Sequence, residues 1–224
     1  MALLTLKDFD LTDKKVLLRI DINSPLDPRS GEILDISRIK GYIPSLQSLS
    51  RSKVVVMAHQ SRPGKSDFTT LRSHASILGR LLKKKVAYVD DVFGRCAREE
   101  ISRLKSGEIL VLENVRFCSE EVSKEISERP PIEQAKTHLV KKLSSYVDFF
   151  VNDAFAVSHR SQPSVVGFPM VLPSCIGPMM EREIDILNKV LSSGEKPKIF
   201  SLGGVKADDS LLITENVLKK GIAD

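Results

Sequence analysis

The sequence predicts an α/β fold, with a doubly wound and mainly parallel sheet that carries helices on both faces. Two observations lead to this prediction. Short runs rich in Val, Ile and Leu recur along the chain, and the segments between them show the three-to-four-residue spacing of amphipathic helices. Alternation of this kind implies right-handed crossovers between parallel strands. Because ligands bind beyond the carboxyl ends of such strands, functional residues should gather there.

Six segments are short and almost continuously apolar, as strands covered on both faces of a sheet are. We predict one strand in each of them. In chain order the segments are KVLLRID (15–21), KVVVMAH (53–59), KVAYVDD (85–91), EILVLEN (108–114), VDFFVND (147–153) and KIFSLGG (198–204).

Helices are predicted between the strands. In 38–50 and in 71–84, apolar residues repeat so that they share one face of a helix. Asp208 is a suitable N-cap for a helix near the end of the sequence. With that helix, the remaining predicted helices are at 95–105, 133–145, 179–193 and 209–220. The resulting architecture is Rossmann-like.

Prolines and glycines between 169 and 178 mark a boundary after the fifth predicted strand. We therefore predict three parts of the chain: an α/β domain at 1–172, an interdomain segment with a helix at 173–196, and the start of a second α/β domain at 197–224. The last part would be incomplete, because one strand and one helix cannot enclose a core.

The composition is that of an ordinary globular protein, with 42% apolar and 28% charged residues. Although the net charge is +5, the 34 basic and 29 acidic residues are interspersed, and the single basic run, 83–85, closes a predicted helix. Trp is absent, which argues against a stacking platform for single-stranded nucleic acid. We expect no nucleic-acid partner, although binding to a basic surface stays open as an alternative.

Cys96, Cys118 and Cys175 are far apart and lie outside any C-x-x-C pattern. They predict buried, unreactive thiols in a cytoplasmic protein rather than a disulfide framework or a metal site. The first residues lack the features of a signal peptide, and no later run reaches the length of a membrane span. We expect a soluble protein without a membrane partner.

Charged and polar residues follow four of the predicted strands. They are Asp21 and Asn23 after the first strand, Arg38 at the start of the next helix, His59 and Arg62 after the second strand, Arg116 after the fourth, and His159 and Arg160 after the fifth. Cations that converge on one edge repel one another unless an anion joins them, and guanidinium suits bidentate binding of phosphate or carboxylate. We therefore predict a small, multiply anionic metabolite as the ligand. The acceptors and the amide of the first two residues suit a hydroxyl on it.

Gly203 and Gly204 end the last predicted strand, and Lys206 follows them closely. The two glycines would let the backbone approach a phosphate near the positive end of the next helix, and the lysine would add a point charge. Neither a Walker-type nor a dinucleotide glycine motif is present.

Five stretches, in order along almost the whole chain, resemble the phosphoglycerate kinase family and most of all its archaeal branch. They are VLLRIDINSPLD, MAHQSRPGK, LVLENVRF, VNDAFAVSHRSQPSVVGF and LGGVKADDSLLITENVL. The resemblance implies reversible phosphoryl transfer between ATP and the carboxylate of 3-phosphoglycerate, a step of glycolysis and gluconeogenesis that uses Mg²⁺. It also implies that 1–172 binds phosphoglycerate, that 173–196 contains the interdomain helix and that 197–224 begins a nucleotide-binding domain.

The resemblance also implies roles for individual residues. Arg38 would reach the transferring phosphoryl group and, with Lys206, would be catalytic. Gly203, Gly204 and Lys206 would contact the nucleotide. The predicted substrate-binding residues are Asp21 and Asn23 at the hydroxyl and carboxylate end, His59, Arg62, Arg116 and Arg160 around the phosphate, and also Arg38, Gln60 and Ser61.

Two departures from the family pattern are visible. Ser210 stands where the family usually has a second lysine. The chain is also much shorter than the family, whose other half supplies most of the ATP and Mg²⁺ site, so we expect a truncated chain that does not sustain turnover alone. A non-catalytic phosphoglycerate-binding half-protein is the alternative. The oligomeric state is not predicted.

Overall fold

A computed structural model describes residues 3–192, 196–202 and 207–223 of the chain. Six strands of these residues form one sheet in which every neighbouring pair is parallel. The predicted doubly wound parallel sheet is therefore confirmed. The strands are β1 (Lys15–Arg19), β2 (Lys53–Met57), β3 (Ala87–Tyr88), β4 (Ile109–Val111), β5 (Phe149–Asn152) and β6 (Ser174–Ile176).

The strand order is β3-β4-β2-β1-β5-β6, so the direction of winding reverses beside β1. Side chains of β1 alternate between two cores, since Val16 and Leu18 belong to one core and Leu17 to the other. The parallel register carries this alternation into β2, where Val55 lies beside Leu17. Both faces of the sheet are covered, which explains why the strands read as continuous apolar runs.

Helices connect the strands and pack on both faces. The bounds of the described helices are α1 (Ser37–Gly41), α2 (Ile43–Ser48), α3 (Arg72–Leu82), α4 (Arg95–Arg103), α5 (Ser119–Val122), α6 (Lys124–Ser127), α7 (Pro131–Gln134), α8 (His138–Ser144), α9 (Pro178–Ser192) and α10 (Ala207–Lys219). Helices α3, α4, α9 and α10 lie at predicted positions. None of the helices in this part of the chain is both long and apolar enough to cross a membrane.

Two predicted helices are each divided into two. The helix predicted at 38–50 breaks at Tyr42 because Pro44 has no N–H to donate to the preceding turn, although it is well placed in the first turn of α2. The segment predicted at 133–145 forms α7 and α8. Thr137 separates them as the N-cap of α8, where its hydroxyl accepts a hydrogen bond from the backbone N–H of Val140.

The sixth strand is not where the sequence places it. No strand forms at 198–202, and Ile199 is 84% exposed there. The remaining two positions of that predicted strand lie outside the described residues. The sixth strand is instead β6, which pairs with β5 through Cys175 and Val151. Its sequence, SCI, lacks the apolar run of an interior strand because it lies at the edge of the sheet.

The cysteines are only partly as predicted. Cys118 and Cys175 are buried, but Cys96 is exposed. The prediction of a buried thiol is wrong for Cys96, because α4 turns Ala97 and Ile101 to the core and leaves its neighbour outside.

The chain divides into two compact units, 1–182 and 183–224. This division falls inside α9. The predicted domain at 1–172 lies wholly within the first unit, while the predicted boundaries after 172 and 196 stay predictions.

Asp153 follows β5 and is fully buried. Its carboxylate accepts a hydrogen bond from Ser45 Oγ at 2.5 Å and another from the backbone N–H of Met180 at 2.9 Å. It therefore joins the end of the sheet to α2 and to the first turn of α9, where backbone N–H groups have no partner within the helix. A Cβ at Gly177 would overlap the Asp153 carboxyl group. Glycine is required there by lack of space.

Gly177→Ala should lower the free energy of unfolding by about 1–3 kcal/mol, because the added methyl group displaces the buried Asp153 carboxylate. Urea denaturation measures this change. Gly41→Ala is the matched control, since a Cβ there meets only Met179 Cε at 3.7 Å. Equal stability of the two variants would contradict the packing described for Asp153.

Candidate anion-binding site

The carboxyl ends of β4, β2, β1 and β5 lie side by side, because these strands are neighbours in a parallel sheet. The loops that follow them form a cavity of about 610 Å³. Its wall contains four cationic side chains and one carboxylate, which are Arg62, Lys65, Arg116, Arg160 and Asp67. The excess of positive charge fits an anionic ligand.

Arg116 lies after β4 and is 7% exposed. Its Nη1 donates to the carbonyl oxygen of Ser61, whereas its Nη2 is buried without an acceptor among the described residues. Burial, together with the charges of Arg160 and Arg19, lowers the pKa of Arg116 to about 10, so the group stays a cation at neutral pH. A buried cationic donor without an acceptor is unfavourable, and an anion in the cavity would supply the acceptor.

Ser61 shapes the loop after β2. It has a left-handed backbone conformation with a φ of 53°. Its backbone N–H donates to Asn23 Oδ1 at 2.8 Å, and its hydroxyl donates to Asp67 Oδ1 at 2.5 Å. These two bonds offset the strain of the conformation, and the carbonyl oxygen of the same residue accepts from Arg116. Asn23 and Ser61 both line the cavity.

Arg38 is held by Asp21. The Nη1 atom of Arg38 lies 2.9 Å from Oδ2 of Asp21, whose side chain is 4% exposed, while 53% of the Arg38 side chain is exposed. The other carboxylate oxygen of Asp21 accepts from the backbone N–H of Asn23 at 3.1 Å. The buried carboxylate therefore orients the guanidinium and leaves part of it open to a ligand.

His59 follows β2 and is 3% exposed. Burial lowers its pKa far below the ordinary value, and the charges of Arg19, Arg116, Arg160 and Arg38 lower it further. Of the predicted arginines, Arg38, Arg116 and Arg160 therefore lie near His59, although they come from one helix and two different loops. His59 is therefore neutral, which differs from the cation that a basic patch suggests.

Gln60 does not face the cavity. It is fully buried, and its Oε1 accepts from the backbone N–H of Ser24 at 2.9 Å, while its Nε2 donates to the carbonyl oxygen of Ser24 at 2.9 Å. His74 Nε2 lies 3.1 Å from the same Oε1. Because both ends of the amide are occupied, Gln60 holds the loop after β1 to the loop after β2 in this structure.

Several residues at the site are missing from the sequence prediction. Lys65 and Gln162 line the cavity, and Arg19 lies behind His59. Lys65 could have been found, since it follows Arg62 closely in the same loop. Arg19 carries a signal too, because a charged residue inside an apolar strand must have a buried partner.

The predicted nucleotide contacts Gly203, Gly204 and Lys206 lie outside the described residues. Ser210 is on α10. Within the part of the chain that the structure describes, no group of three or more His, Cys, Asp and Glu side chains could hold a metal ion.

Known proteins match the chain over almost its whole length. A family model of phosphoglycerate kinase matches residues 6–224. Phosphoglycerate kinase from Methanobacterium bryantii is 54% identical over 98% of this chain and 53% of the relative. Phosphoglycerate kinase 2 from Methanosarcina acetivorans is 55% identical over 99% of this chain and 52% of the relative.

The chain belongs to the phosphoglycerate kinase family. Solved structures of the family agree with the fold. The crystal structure of phosphoglycerate kinase from Pyrococcus horikoshii OT3 matches with a TM-score of 0.92 at 47% identity, and covers 98% of this chain and 53% of that chain. The phosphoglycerate kinase from Coxiella burnetii matches with a TM-score of 0.77 at 28% identity, with the same coverage. The chain thus spans about half the length of the phosphoglycerate kinases it matches.

His74 makes the supporting network sensitive to acid. It is 1% exposed, and burial lowers its pKa to about 4, partly opposed by the charge of Glu113. A histidine in the unfolded chain has a pKa of about 6.5. Since the pKa of His74 is lower in the folded chain, the neutral imidazole costs no stability above about pH 6.5. As the pH falls toward 4, the unfolded chain takes up a proton first, and the free energy of unfolding decreases by roughly 3 kcal/mol.

His74→Gln should remove the part of the acid-dependent decrease in the free energy of unfolding that is due to His74. Glutamine keeps a donor for Gln60 but takes up no proton. Urea unfolding at about pH 7 and at about pH 4.5 measures the difference. His138→Gln, which changes an exposed histidine, is the control. A variant at position 74 with the same pH dependence as the parent chain would contradict the role of this buried imidazole.

Proposed function

We propose that the chain is the phosphoglycerate-binding part of a phosphoglycerate kinase, a cytoplasmic transferase. The full-length enzyme would transfer a phosphoryl group reversibly between ATP and the carboxylate of 3-phosphoglycerate, giving 1,3-bisphosphoglycerate and ADP. One observation carries the substrate proposal: the buried Nη2 of Arg116 has no acceptor among the described residues, in a cavity with three more cations. A phosphate dianion supplies both the acceptors and the charge.

The phosphate of the substrate would bind among Arg62, Arg116 and Arg160, whose planar groups can each contact two oxygens. Lys65 would add a fourth charge from the wall of the same cavity. Asn23 would offer its amide Nδ2 to the other end of the acid, because its Oδ1 is occupied by the backbone of Ser61.

Arg38 is the residue we propose for charge stabilisation. The reaction needs no covalent intermediate, since a carboxylate oxygen of the substrate attacks the γ-phosphorus of ATP in line. A guanidinium oriented by Asp21 and still half-exposed can contact the transferring group without reorganising. Closure of the two halves of a full-length enzyme would exclude water.

ATP or ADP with Mg²⁺ would bind mostly to family residues that this sequence does not span. Gly203, Gly204 and Lys206 stay predicted nucleotide contacts. No residue among those described is proposed as a magnesium ligand, because they offer no suitable cluster.

Phosphoglycerate binding without turnover is a second candidate function. It is favoured by one observation, namely that every residue lining the cavity belongs to the first unit, 1–182. The acid could therefore bind without a nucleotide half.

3-Phosphoglycerate alone should raise the unfolding temperature of the 224-residue chain, because it binds the folded state. Arg62→Ala should weaken this binding about 10- to 100-fold, as expected for the loss of charge-assisted hydrogen bonds. Arg95→Ala removes the same charge from α4, outside the cavity, and should leave the affinity unchanged. Stabilisation by ATP or DNA but not by 3-phosphoglycerate would contradict the proposed ligand.

Arg38→Ala in a full-length protein that carries these residues should lower kcat by about 10²- to 10³-fold and change KM little, because the lost interaction forms in the transition state. Steady-state kinetics with both substrates measure the split. Arg38→Lys keeps the charge without the planar guanidinium group, so its kcat should lie between that of the parent enzyme and that of Arg38→Ala. An unchanged kcat would remove Arg38 from the mechanism, and a full-length protein without turnover would favour the binding module.

A further inference from the structure

Arg19 lies at the end of β1 and has no exposed surface. Each of its three nitrogen atoms has a partner. Nη1 donates to the carbonyl oxygen of Ile20 at 2.6 Å, Nε donates to Ser164 Oγ at 3.2 Å, and Nη2 lies 3.2 Å from Nδ1 of His59. A fully buried arginine is therefore aimed at one particular nitrogen of a site histidine.

Guanidinium has only donors, so the nitrogen it faces must be an acceptor. His59 Nδ1 must then carry no proton, and the single proton of the neutral imidazole must be on Nε2. In the opposite tautomer, the N–H groups of Arg19 Nη2 and His59 Nδ1 would face each other in a buried place, and the hydrogen bond between them would be lost.

Ser164 and Glu121 fix the orientation of Arg19. Both are buried, and the hydroxyl of Ser164 donates to Glu121 Oε1 at 2.6 Å, while its backbone N–H donates to Oε2 at 3.0 Å. Because the hydroxyl proton is used in this way, its oxygen is free to accept from Arg19 Nε. Hydrogen bonds thus run without conflict from Glu121 through Ser164 and Arg19 to His59.

The second ring nitrogen of His59, Nε2, is the one that Arg19 leaves available, and His59 itself is not among the residues that line the cavity of about 610 Å³. Nε2 has no hydrogen-bond partner among the described residues and is not one of their enclosed, unpaired atoms. The charged groups that act on the imidazole are Arg19 on β1, Arg116 and Arg160 in the loops, and Arg38 on α1. All four are cations, which favours an anion beside Nε2.

We propose that Arg19 is a positioning residue that holds His59 in the neutral Nε2–H tautomer, so that His59 binds an oxyanion of the substrate as an uncharged donor. The second half of this inference rests on the proposed function. A neutral donor adds a hydrogen bond to the site without adding a charge to four neighbouring guanidinium groups. The strongly lowered pKa of His59, caused first by burial, agrees with this state.

¹⁵N NMR of histidine-labelled chain tests the tautomer without any ligand. His59 should show a protonated Nε2 and an unprotonated Nδ1. His74 is an internal reference, because its Nε2 faces the acceptor Oε1 of Gln60 and its Nδ1 is buried without a partner. The Nδ1 signals of the two residues should differ, since only that of His59 accepts a hydrogen bond. A protonated Nδ1 in His59 would overturn the proposal.

Arg19→Met combined with Glu121→Gln tests the cause, and the second change avoids leaving a buried carboxylate unpaired. In this double variant the His59 Nδ1 signal should move toward that of His74, whose own signal should stay in place. Arg19→Lys also places a donor-only group at this position and should retain the parent shift in part. If the double variant is unfolded, Arg19→Lys and Ser164→Ala can be measured instead, and the His59 Nδ1 signal should move by a smaller amount in each. An unmoved His59 signal in every folded variant would remove Arg19 from this role.

Substitution of His59 tests which nitrogen binds the ligand. Glutamine can place its amide nitrogen near the position of Nε2, and asparagine near that of Nδ1. His59→Gln should therefore keep the affinity for 3-phosphoglycerate within about threefold, and His59→Asn should weaken it by about tenfold or more. The reverse order would overturn the donor role.

The two proposals fail in different ways. If 3-phosphoglycerate does not bind, the proposed function fails, while the ligand-free spectrum still decides the tautomer. If the acid stabilises the chain but leaves the Nε2 signal of His59 unmoved, the donor role fails and the proposed function stands.

Discussion

The site depends on the crowding of like charges at one edge of a parallel sheet. Parallel pairing brings the carboxyl ends of neighbouring strands together, so the cations that follow them cannot lie far apart. Two buried carboxylates offset part of this repulsion, since Asp21 pairs with Arg38 and Glu121 connects to Arg19 through a serine. The charge that faces the cavity stays positive, and Arg116 keeps an unused donor among the described residues. This imbalance supports the proposed anionic ligand.

Buried polar groups behind the cavity hold these cations in place. Gln60 joins two loops through Ser24 and contacts His74, and Asn114 Nδ2 donates to the carbonyl oxygens of Gln60 and Thr69 at 2.8 Å. Such a network fixes one conformation when its members find partners, because the alternative is an unpaired polar group in a low-dielectric interior. The loops are therefore held in one arrangement, which would reduce the entropy lost on binding the proposed ligand.

Geometry and family membership contribute different parts of the functional conclusion. The cavity, which lies within the first unit, 1–182, supports the proposed phosphate-bearing ligand. The proposed reaction rests on membership of the family, whose model matches residues 6–224. Within the first unit, Asp153 ties the sheet that carries the site to the start of α9.

The sequence alone was enough to predict five strands of the sheet, most helices and several cations that lie at the cavity. Continuous apolar runs specify β1, β2, β4 and β5 because both of their faces are buried, and the cations were recognisable because they follow those runs. The edge strand β6 was not predicted, because a strand that pairs on one side only does not need a continuous apolar run.

Only the tertiary structure decided which polar side chains line the cavity and which contact each other. Gln60 belongs to the same loop as Arg62 and turns inward, while Arg19 lies within an apolar strand and supports the site. Their partners are remote in sequence: Ser164 lies 145 positions from Arg19. Local pattern carries no information about such a pairing, because it exists only once distant segments pack together.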